Sequence, residues 1–196
     1  GPMLILFCWA VMNAVGFYLL SGYMVAYNTE TLGLERAEAL TAYIISLVVF
    51  AATCFISGAL ADRIGRRNVA LIGALFLGIS AIPAFHIMGS GGVAAAATGQ
   101  SIYAIGAGIV SLVTPMLMVE AFPAEIRYTA SAFAYNMAYA VLGGTAPLVA
   151  TWIIAQTGSP IAPAYYVVIV AALGLVIAIF YLSGFYEKGA KVSKHL

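Results

Sequence analysis

Six apolar runs, at roughly 3–27, 39–61, 68–88, 92–121, 128–156 and 163–186, leave this chain of 196 residues very few ways to fold. About 20 apolar residues in a helix cross the ~30 Å hydrocarbon layer of a bilayer, and each run has that length with room for tilt. Inside lipid every backbone N–H and C=O must be paired within its own segment or in a closed barrel, so long uninterrupted runs are helices. A soluble domain carries roughly a quarter charged residues, whereas here the figure is 8%. The chain is therefore expected to be an all-α membrane protein with six transmembrane helices. The breaks at 28–38, 62–68, 89–92, 122–127 and 156–163 hold nearly all of the charge and turn chemistry. Gly1-Pro2 reads as the remnant of an engineered protease site outside the fold, and residues 187–196 form a short polar tail.

Charge sets the orientation. Arg63, Arg66, Arg67, Arg127, Lys188, Lys191 and Lys194 share one face, and only Arg36 lies on the other, among Glu30, Glu35 and Glu38. The positive-inside rule places the basic face, and with it both termini, in the cytoplasm, as for a bacterial inner-membrane protein. A net charge of +1 gives no reason to expect a nucleic-acid partner. Cys8 and Cys54 lie far apart inside apolar runs, which suits packing rather than a disulfide or a metal site. Trp9, Tyr27, Trp152, Tyr165 and Tyr186 near the run ends fit interfacial belts. Two small-residue stripes, Ala70/Ala74/Gly78 and Ala130/Ala134/Ala138, allow close helix contact.

The stretch Gly58-Ala-Leu-Ala-Asp-Arg-Ile-Gly-Arg-Arg67 packs four charged residues and two glycines between the second and third runs. Gly58 permits close approach to a neighbouring helix, and Gly65 suits the backbone of a tight helix–helix turn. Asp62 accepts from helix N-terminal donors or pairs with an arginine, and Arg63, Arg66 and Arg67 hold the loop at the membrane surface. Anchoring alone would explain the basic residues but not the whole set.

That set resembles the G-x-L-x-D-R-x-G-R-R/K signature of the major facilitator superfamily, found between the second and third helices of a six-helix half. Glu120 and Arg127, in Glu120-Ala-Phe-Pro-Ala-Glu-Ile-Arg127, match the family's Glu-x6-Arg pattern. The resemblance implies six helices as a 3+3 inverted-repeat half of the fold, and a charged network of Asp62, Arg63, Glu120 and Arg127 that latches one conformation. Paired charges at the lipid boundary, formed in one state and broken in another, would bias a two-state equilibrium.

Residues 127–154, opening Arg127-Tyr-Thr and running through Tyr135-Asn-Met-Ala-Tyr139 to Gly143-Gly-Thr-Ala-Pro147, resemble the eleventh helix of the metabolite:proton symporter family. The chain is then helices seven to twelve of a twelve-helix transporter. Its partner is the N-terminal six-helix half, and its cargo a small metabolite such as a carboxylate or betaine moved with a proton by alternating access. Pro147 cannot donate to the carbonyl of Gly143, and the glycines Gly143 and Gly144 loosen the helix around that gap, so a mid-membrane break that includes Thr145 is expected. Thr114 and Pro115 mark a second kink. Gly106 and Gly108 suit packing.

Asn136, Tyr139, Asn13 and Tyr18 are read as cavity residues. For the two asparagines, hydrogen bonds that only hold the bundle fit equally well. No Asp, Glu, Lys or Arg lies at mid-membrane. A symporter needs a buried titratable group; His86 lies toward the end of its helix, so the coupling carboxylates are expected in the other half.

No nucleophile, base and orienter form a catalytic set, and no cofactor is implied. Leu19-Leu-Ser-Gly22 lacks the first glycine of the intramembrane serine protease motif. The alternative reading is a self-contained six-helix protein acting as a homodimeric carrier or channel.

Overall fold

The computed structural model describes residues 2–120, 122 and 125–180, with the side chains of 2, 119 and 120 excepted. Six helices are long and apolar enough to cross a membrane: α1 (Met3–Thr31), α2 (Arg36–Ile64), α3 (Arg66–Met88), α4 (Gly92–Met118), α5 (Arg127–Thr157) and α6 (Ala162–Phe180). Among the described residues there is no strand. The basic end of the bundle carries the α2–α3 and α4–α5 connections.

Two boundaries differ from the sequence reading, each for a local reason. Helix α2 starts at Arg36 because Glu35 and Glu38 form a capping box, in which the Glu35 N–H donates to Glu38 Oε2 at 3.2 Å. Helix α1 runs on to Thr31 because its last turn is π-helical, with the Leu32 N–H donating to Tyr27 O at 3.1 Å. A second π-helical turn covers Leu19–Tyr23 of the same helix. No proline announces either, and the sequence reading gave irregularity only to the fourth and fifth runs.

Helices α1 and α4 sit at the centre, whereas α2 and α5 are largely exposed. Helix α4 packs on both α2 and α3, α3 on α6, and α1 meets α4, α5 and α6. Both small-residue stripes fall on contacts. Ala70 and Ala74 are buried, and a methyl added at Gly78 would lie 3.3 Å from Ala171 of α6. Ala134 and Ala138 are buried against Ala10 and Met118. In lipid, where no hydrophobic effect drives helices together, such close packing and interhelical hydrogen bonds are what hold the bundle.

The aromatic residues correct one expectation. Trp9 (0% exposed) and Tyr27 (1%) are core residues, not interfacial ones. Trp9 Nε1 donates to Thr114 Oγ1 at 3.0 Å, and the Tyr27 hydroxyl donates to Pro160 O at 2.8 Å. Their rings point across the bundle, where each polar head finds an acceptor; nearness to a run end says nothing of that direction. Trp152 and Tyr165 are exposed, while Tyr186 lies outside the described residues.

Candidate solute site and charged face

The expected break in α5 is a π-helical turn, Ala138–Gly143, inside a helix that otherwise continues. Pro147 leaves the Gly143 carbonyl without its usual donor, and the Gly144 N–H reaches five residues back to Tyr139 O. Gly143 is where α5 presses on α1. A methyl group there would lie 2.8 Å from Tyr18 Cδ2 and 3.0 Å from Ala14 Cβ, so only hydrogen fits. Gly144 and Thr145 are exposed, and the Thr145 hydroxyl donates back to Val141 O at 2.6 Å. Pro147 is half-buried, its ring near Gly22 of α1.

This contact brings together residues from three helices. Asn13 of α1, 2% exposed, donates through Nδ2 to the Tyr139 hydroxyl at 2.7 Å. Its Oδ1 accepts from Ser111 of α4 at 2.8 Å. Tyr18 meets the Tyr139 ring edge-on at 5.9 Å between centroids, and Tyr135 stacks on it at 4.0 Å. Asn13 therefore spends its carboxamide on the network. Ser111 escaped the sequence reading, since a serine in an apolar helix more often bonds its own backbone; the proline four residues on, Pro115, was the signal at hand. Gln100 of α4 was also missed. It is wholly buried and accepts from Ser46 of α2 at 3.4 Å.

Asn136 lies elsewhere. It is exposed and lines a pocket of about 450 Å³ between Pro115 and Met118 of α4 and the face of α5 that carries Arg127, Ser131 and Tyr135.

At the basic end, Gly65 is the whole connection between α2 and α3. Its N–H donates to Ala61 O at 3.0 Å, its carbonyl accepts from Val69 at 3.3 Å, and its backbone sits at φ 86° and ψ 147°. That conformation is nearly confined to glycine, so Gly65→Ala is expected to cost about 1–3 kcal/mol. A fall in melting temperature of the detergent-solubilised protein would show it. Gly58→Ala should cost less, because the new methyl would meet only the tip of Leu112, at 3.2 Å.

Asp62 and Arg63 are exposed, and Arg66 and Arg67 are half-buried. Arg67 Nη2 reaches Ile179 O at 3.4 Å, and Arg127 Nε donates to Phe122 O at 3.1 Å. Glu120 ends the helix of the fourth span, but its side chain, like the lysines of the tail, lies outside the described residues. His86 is exposed near the opposite end of α3. Among the described residues no cluster of His, Cys, Asp and Glu could hold a metal ion.

The described residues thus form a bundle of membrane-length helices with a polar and aromatic junction in its interior. Comparison with known proteins fixes the family. The chain belongs to the Major Facilitator Superfamily, whose profile matches residues 3–194. The ectoine/proline transporter ProP of Corynebacterium glutamicum is 31% identical over 171 residues, covering 87% of this chain and 34% of the relative. The proline/betaine transporter of Escherichia coli K12 is 30% identical over 166 residues, covering 85% and 33%. The chain thus spans about a third of the length of these curated relatives. Among solved structures, the xylose transporter XylE of Escherichia coli superposes with a TM-score of 0.63 at 18% identity, over 94% of this chain and 47% of that one. A D-xylose–proton symporter gives 0.56 at 21% identity, over 100% and 50%. With six membrane-length helices, the protein is an integral membrane protein of that superfamily.

Proposed function

We propose that this chain is the C-terminal half of a proton-coupled symporter for small zwitterionic solutes of the proline and betaine kind. It works by alternating access in the bacterial plasma membrane, with both termini and the basic face in the cytoplasm. The observation that carries the reading is the Asn13–Tyr139–Ser111 network beside the Tyr18 and Tyr135 rings, in which Asn13 of α1 bridges Ser111 of α4 and Tyr139 in the π-helical turn of α5. Hydrogen-bonding groups next to tyrosine faces suit a solute with a carboxylate and an alkylated ammonium. The names of the relatives point to the same chemistry.

The six spans hold no mid-membrane carboxylate, so the proton-carrying group belongs to the N-terminal half. The Asp62, Arg63, Glu120 and Arg127 set would act as the cytoplasmic latch, with Gly65 fixing the angle of its turn. The test is uptake of labelled proline and glycine betaine by the full-length transporter in proteoliposomes under an imposed pH gradient. Uptake that an inward proton gradient drives and a protonophore abolishes is the expected result. Uptake indifferent to the protonophore removes the proton coupling, and no uptake of either solute removes the solute class.

A further inference from the structure

We propose that the pocket between α4 and α5 is a second binding station for the solute. It would hold the carboxylate on Arg127 and the alkylated, cationic part against the rings of Tyr128 and Tyr135. The proposal rests on the zwitterionic solute class argued above and adds a site that the central network does not include. The pocket's volume of about 450 Å³ falls inside the ~300–1,000 Å³ usual for small-molecule sites. On α5 its lining recurs every turn, at Arg127 and Tyr128, again at Ser131, and again at Tyr135 and Asn136. That makes one continuous strip about 13 Å long at 1.5 Å per residue.

Each group on the strip has a distinct use. Among the described residues of the lining, Arg127 is the one that carries a charge. Its Nε donates to Phe122 O at 3.1 Å, which orients the guanidinium; in the state where the latch is open, its terminal nitrogens are the fork that fits a carboxylate. Ser131 donates to Met118 O at 3.0 Å, tying α5 to α4 along the pocket. The Asn136 carboxamide has no hydrogen-bond partner among the described residues, so it is the polar group left to meet a ligand. Tyr135 stacks on Tyr139 at 4.0 Å, so one pair of rings borders both the pocket and the central network. A solute leaving the centre would travel two turns down the same helix face before reaching water at the basic end.

Isothermal titration of the full-length transporter in detergent, with glycine betaine as the probe, tests this. The wild type should show two binding events. Arg127→Gln and, outside the charged motif, Asn136→Leu should each weaken one event by about tenfold or more, the loss of a charge-assisted contact or of a polar contact to the solute. Choline, which lacks the carboxylate, should show no event that depends on Arg127. A single event in the wild type, unmoved by either variant, overturns the second station and leaves the central site standing. No binding of any kind overturns the solute class and the station together.

Discussion

Asn13→Ala in the full-length transporter is expected to lower uptake of proline or betaine at least tenfold while the protein still reaches the membrane. The substitution removes the donor to the Tyr139 hydroxyl and the acceptor for Ser111 in one step. Interhelical hydrogen bonds in membranes contribute about 0.6 kcal/mol on average and up to about 1.7, so the fold should survive. A comparable loss at a solute site, where a buried polar group is left without its partner, costs about 1–3 kcal/mol of binding. The KM should rise while the melting temperature falls little. Tyr139→Phe, which keeps the ring and both aromatic contacts, should give an intermediate loss. Uptake within about twofold of wild type in Asn13→Ala, well under 1 kcal/mol, would mean that the network only ties the bundle together.

The second large effect concerns packing. Gly143→Val should lower the melting temperature by about 2–12 °C, the range expected when overpacking costs about 1–3 kcal/mol in a chain of this size. Its side chain would collide with the Tyr18 ring and Ala14 at the tightest point of the α1–α5 contact. Tyr18→Ala should restore part of that loss in the double variant, because the two residues share one space. The neighbouring Gly144→Ala should be harmless, since the nearest atom to its methyl would be Tyr139 O at 3.7 Å. Equal damage at both positions would contradict the described packing.

That pair of glycines shows where sequence reading stops. Side by side in Gly143-Gly-Thr-Ala-Pro147 they carry the same message, a helix loosened before a proline, and the π-helical turn ending at Gly143 is its physical outcome. Which of them touches α1 depends on the rotation of α5 about its axis. The asparagines divide in the same way. Asn13 and Asn136 are alike as polar residues in apolar runs. One is buried in a three-helix network and the other faces a pocket two turns from the basic end.

The six spans, the sharp basic turn at Gly65 and the irregular point in α5 were determined by the sequence itself. Each follows from a local cause: the length of an apolar run, the backbone freedom of one glycine, the missing amide of one proline. Tertiary structure alone decided which way each helix faces. It buried Trp9 and Tyr27, paired Ser111 with Asn13, and gave α1 two π-helical turns that no residue in it announces. The reason is the solvent. A helix in water marks its buried face by the contrast of apolar and polar stripes, but lipid is as apolar as the protein core. The pattern along a membrane helix therefore records its length, while its rotation is settled only by what packs against it.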